Sequence, residues 1–97
     1  MPNGIKVPNT DNIDYGRYVP SESIPSNSYK EYTISFNKSF NTAPLVVASV
    51  QGPFVPYTEV PGPNVSYVDA SGFKVRVANR YSTALTPSYI NWIAVEV

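Results

Sequence analysis

The sequence predicts an all-β fold, a small antiparallel β-sandwich of about six strands. Three observations lead there. Ten prolines and five glycines are spread through the 97 residues, so windows fit for a helix are scarce. The two longest windows free of both, residues 26–43 and 73–86, carry EYTISF and FKVRV. These alternate apolar and polar side chains, as a half-buried strand does. Turn-forming clusters then recur about every ten residues, the spacing of a sandwich.

The elements follow in order. Residues 1–10 hold Pro2, Asn3, Gly4, Pro8 and Asn9 and read as loose chain. A first short strand is expected from Ile13 to Tyr18, so residues 1–20 are treated as an N-terminal segment and 21–97 as the sandwich proper. PSESIPSNS is a loop. In YKEYTISF, Tyr32, Ile34 and Phe36 share one face, and Glu31, Thr33 and Ser35 the other. NKSFNTA is a turn carrying Phe40. PLVVASVQ is nearly continuous in apolar residues, the pattern of a strand buried on both faces.

Gly52 to Asn64 is a loop, because prolines at 53, 56, 61 and 63 are incompatible with a central strand. NVSYVDA is a strand. SGF is a tight turn in which Gly72 is available for positive φ. FKVRVAN follows, with Phe73, Val75 and Val77 on one face and Lys74 and Arg76 on the other. RYSTALTPS is a loop. The last strand, YINWIAVEV, has two apolar faces: Ile90, Trp92 and Ala94 on one, Tyr89, Ile93, Val95 and Val97 on the other. The first set, Trp92 included, suits the core. Ile93, Val95 and Val97 are either contacts between subunits or the inside of a more closed barrel, and the subunit contact is preferred.

Composition excludes several function classes. Seven basic and seven acidic residues give a net charge of zero, so no basic stripe exists to capture nucleic acid or an anionic membrane. Hydrophobic residues make up 42% and charged ones 14%, which leaves a surface of Ser, Thr, Asn, Gln and Tyr. No apolar run nears the roughly 20 residues of a membrane helix, and the opening stretch lacks the plan of a secretion signal. No histidine or cysteine is present, so the commonest general base, the thiol nucleophile and the favoured zinc ligands are missing. The acids are scattered, with no pair placed as a glycosidase needs. Asp11 and Asp14 supply too few oxygens for calcium. No enzyme activity and no cofactor are expected.

Three stretches carry a family resemblance: ISFNKSFNTAPLVVASV, SGFKVRV and INWIAVEV, in that order, with Trp92 twenty residues after Gly72. The chain resembles the H-type lectin domain, and most of all the version at the C-terminal end of phage tail fibres and receptor-binding proteins. The likeness covers residues 21–97. It implies a six-stranded sandwich assembled as a parallel homotrimer, with Ile93, Val95 and Val97 toward the three-fold axis and glycan bound near the protomer boundary. The animal lectins' sugar contacts do not transfer. Their Gly and Asp fall near Ser23 and Pro25, their Arg near Val60, their Trp–His pair at Arg80 and Tyr81, and their tyrosine at Thr86. N-acetylgalactosamine specificity is therefore not implied.

The binding residues expected instead are Arg80 and Tyr81, then Tyr57 and Glu59, with Asn79 as a further polar group. A tyrosine ring stacks on the apolar face of a pyranose, and a guanidinium presents a fork of donors to hydroxyls. The expected function is carbohydrate binding and host recognition by a phage or prophage tail fibre, with a host cell-surface glycan as partner and no nucleic acid or membrane insertion. The alternative is a structural domain that trimerises and caps a fibre without a ligand pocket.

Overall fold

The computed structural model describes residues 12–52 and 63–97. These form six strands: β1 (Ile13–Tyr18), β2 (Ser28–Ser35), β3 (Leu45–Gln51), β4 (Asn64–Ser66), β5 (Gly72–Asn79) and β6 (Tyr89–Val95). They make two three-stranded sheets, ordered β1-β6-β3 and β2-β5-β4, with every pairing antiparallel. The expected all-β class and small sandwich are what is found.

The core lies between the sheets and follows the period-two reading. Tyr32, Ile34 and Phe36 from the β2 side, Phe73, Val75 and Val77 from β5, and Ile90, Trp92 and Ala94 from β6 are all buried. Phe36 contacts Phe40 edge-on at 5.1 Å, and both Phe36 and Phe73 contact the Trp92 indole, at 5.5 and 5.8 Å. Each such pair adds about 0.5–1.5 kcal/mol beyond its buried area. Phe40, which the sequence places in a turn, is thereby a core residue. Ile24 is another: it lies in the first loop, yet is fully buried and exchanges two backbone hydrogen bonds with Leu85, at 2.7 and 3.1 Å. Gly16 faces Trp92 across the β1–β6 pair. A Cβ there would lie 2.7 Å from the indole, so only glycine lets the ring lie flat against β1.

Three expectations are corrected. β3 is not buried on both faces: Leu45 and Val47 are 57% and 58% exposed. β3 is an edge strand, and among the described residues no further element is layered on the outer side of its sheet. β4 stops at Ser66 rather than continuing to Ala70. Asp69 explains why: its Oδ1 accepts hydrogen bonds from the Ser71 and Gly72 amides and the Ser71 hydroxyl, which bends the chain into a turn. Gly72 does not take positive φ. It is needed for close approach instead, since a Cβ would meet the Ile34 carbonyl oxygen at 2.5 Å.

Two acids fasten the β2–β3 connection. Asp14, buried on β1, accepts from the Asn37 amide at 2.7 Å and from the Asn37 side chain at 3.0 Å. Glu96, just past β6, accepts from the Asn41 and Thr42 amides at 2.9 and 3.0 Å. Asp14 is thus a structural anchor.

Candidate functional site

The loop after β5 is built around Asn79. This residue is fully buried. Its Nδ2 donates toward the carbonyls of Ile24, Pro25 and Thr83, and its Oδ1 accepts from the Tyr81 amide at 2.8 Å. One side chain therefore ties the loop before β2 to the loop after β5. Asn79 was expected to offer a polar group to ligand. Its side chain is turned inward and spent on backbone partners instead. Its contribution is to position what surrounds it.

Beside it lies an open depression of about 480 Å³, lined by Asn27, Ser28, Tyr29, Ala78, Asn79 and Arg80. Arg80 is exposed at its rim. Tyr29 lies opposite Ala78 in the β2–β5 register and is 55% exposed. The Arg76 guanidinium sits 4.3 Å from the centre of its ring. Asn27 takes φ of 55°, the left-handed conformation that asparagine tolerates better than most residues. Tyr81 is half-buried. Its carbonyl accepts from the Ser26 hydroxyl at 2.7 Å, and it does not line the depression. Tyr57 and Glu59 lie outside the described residues.

The structure thus joins Arg80 to Tyr29, an aromatic that sequence reading passed over as the start of a strand. The signal was parity: Tyr29, Glu31 and Thr33 share a face, which makes Tyr29 outward wherever Tyr32 and Ile34 are inward. That its neighbour is Ala78, and so Arg80, depends on the strand register.

The outer face of the other sheet is different. Across it run two apolar rows, Ile13–Val95–Leu45 and Tyr15–Ile93–Val47, followed by a polar row, Arg17–Asn91–Ser49. Arg17 Nε donates to Asn91 Oδ1 at 2.9 Å, and Asn91 donates onward to Gln51 at 2.9 Å. Ile93 is 43% exposed, Val95 half-buried by its flanking strands, and Val97 exposed beyond the strand end. Among the described residues, no group of three or more acidic, His or Cys side chains gathers that could hold a metal ion.

No family model matches the chain, and no curated protein does. Among solved structures, the chain is similar to an N-truncated R1-type pyocin tail fibre, with a TM-score of 0.66 and 22% sequence identity. The alignment covers 88% of this chain and 70% of that one, so the two share a fold.

Proposed function

We propose that this chain is a tail-fibre domain that recognises a glycan on a bacterial surface and acts as a homotrimer. The carrying observation is the depression in which Arg80 and Tyr29 stand together, held by a buried asparagine. A planar donor fork beside a partly exposed ring suits a sugar, whose hydroxyls need donors and whose C–H face needs a flat apolar surface. The fold shared with a pyocin tail fibre supplies the setting: a virion or tail-like particle, where a fibre end meets a cell. The H-type lectin resemblance supports the same reading.

The trimer rests on the outer face of β1-β6-β3, where Ile93 and Val95 extend an apolar surface across three strands. A shallow polar site binds weakly alone, and three on one particle gain through effective concentration. The same apolar face favours the second reading, a domain that trimerises and caps a fibre without binding sugar.

An array of bacterial surface polysaccharides tests the first reading. Binding is expected, with Arg80→Ala and Tyr29→Ala each weakening it about tenfold, a loss near 1.4 kcal/mol. Binding untouched by both variants moves the site elsewhere. No binding by an intact trimer leaves the capping role.

A further inference from the structure

The outer face of the β2-β5-β4 sheet carries a second exposed aromatic at its far end. Tyr67 follows β4 directly and is 77% exposed. Its φ is 50°, a left-handed conformation that a bulky residue rarely adopts and that strains the backbone. No core contact accounts for this, since the side chain points to solvent. The Lys74 ammonium lies 5.3 Å from the ring centre. Beside Tyr67 is a depression of about 200 Å³ whose polar lining comes from Thr33, Ser35, Asp69, Ser71 and Lys74. Asp69 is held below the usual carboxylate range by the Ser71 amide, the Ser71 hydroxyl and the Gly72 amide, so it is ionised at neutral pH. Those three bonds converge on Oδ1, and Oδ2 takes part in none of them.

The ground between the two tyrosines is ordered. Glu31 pairs with Lys74 at 3.9 Å and with Arg76 at 3.7 Å, and Arg76 in turn lies over Tyr29. The β2–β5 register sets Tyr29 against Ala78 and Thr33 against Lys74. Along the strands the two aromatic stations are therefore about four residues apart, roughly 14 Å, and they stand on opposite sides of β5. That is longer than one sugar ring.

We propose that this sheet face is a track for an extended polysaccharide, with Tyr29 and Arg80 gripping one end and Tyr67, Lys74 and Asp69 the other. The inference rests on the glycan-recognition reading and adds the class of ligand: a polymer read along its length, not a terminal sugar. Two stacking rings with paired polar groups between them match a chain of pyranoses, which alternates C–H faces with hydroxyls. Single-stranded nucleic acid also stacks on aromatics. Here Glu31 offsets the charge of Lys74 and Arg76, and Asp69 repels phosphate at the far end.

The test measures binding of an array-identified polysaccharide and its fragments of graded length, with a thymidine oligonucleotide as comparison. Affinity should climb with fragment length until both stations are spanned. Tyr67→Gly should weaken the long fragments about tenfold and leave the shortest unchanged. Because glycine accepts positive φ, the same variant should keep or raise the melting temperature, which separates lost binding from lost folding. Length-independent binding that depends on Arg80 and Tyr29 but ignores Tyr67→Gly overturns the track and spares glycan recognition. No polysaccharide binding overturns both. Tighter binding of the oligonucleotide than of any polysaccharide also overturns both.

Discussion

Asn79, Asp14 and Asp69 show what single polar residues do in a chain with few charges. Each is spent on backbone partners, and each fixes a loop that the sheets alone leave undefined. Tyr32 is the exception. Its ring packs 5.6 Å from Tyr18, but its buried hydroxyl has no hydrogen-bond partner among the described residues. Burial, then the nearby Tyr18 and Glu22, raise its pKa above the ordinary phenol value. The folded state thus favours the neutral form. Its contribution to stability is complete below the unfolded value of about 10 and is lost as pH rises through the folded one. Tyr32→Phe should be neutral or stabilising at pH 7. It should also flatten the alkaline fall in stability, as followed by urea denaturation across that range. A fall as steep as in the unaltered chain would place the titration elsewhere.

At the scale of the strand, alternation was a sound guide and continuity was not. In β2 and β5 the polar positions told which face was wet, and the structure agrees. In β3 a continuous apolar run looked the same as a strand buried on both sides. What lies against the outer face is a property of the partner and not of the strand. The end of β4 was hidden because it is set by an Asp69 turn, and the burial of Ile24 because a lone apolar residue in a polar loop has no period to read. The site was half legible. Arg80 stands in a loop that the resemblance marks, whereas Tyr29 reaches the candidate site only through the pairing of β2 with β5. Gly16 shows the reverse case, a residue whose importance is geometric. Gly16→Ala should cost about 1–3 kcal/mol by forcing the indole off β1. Urea unfolding followed by fluorescence reads this directly, because Trp92 is the chain's one tryptophan. An unchanged midpoint would mean that the ring has room to move.

For the molecule as a whole, the two sheets divide the labour. One turns a polar, aromatic-bearing face outward and the other an apolar one. Light scattering should give three times the 10.7 kDa chain mass. Val95→Asp should return the monomer, by placing a carboxylate among Ile13, Leu45 and their copies. A stable monomer from the unaltered chain would contradict the proposed assembly without touching the fold.

The strand order also has a consequence in time. β1 and β3 each pair with β6, and neither pairs with the other. As the chain emerges from the ribosome, Ile13 and Leu45 must wait for Val95 before either gains its neighbour. Half of the sandwich is therefore assembled in one late step, around seven residues that must find two distant partners at once. Contacts so far apart in sequence form slowly. Until they do, the apolar flank of the proposed trimer has no strand to organise it. Synthesis itself thus imposes an order: the chain acquires the surface on which copies would meet only as its sheet closes.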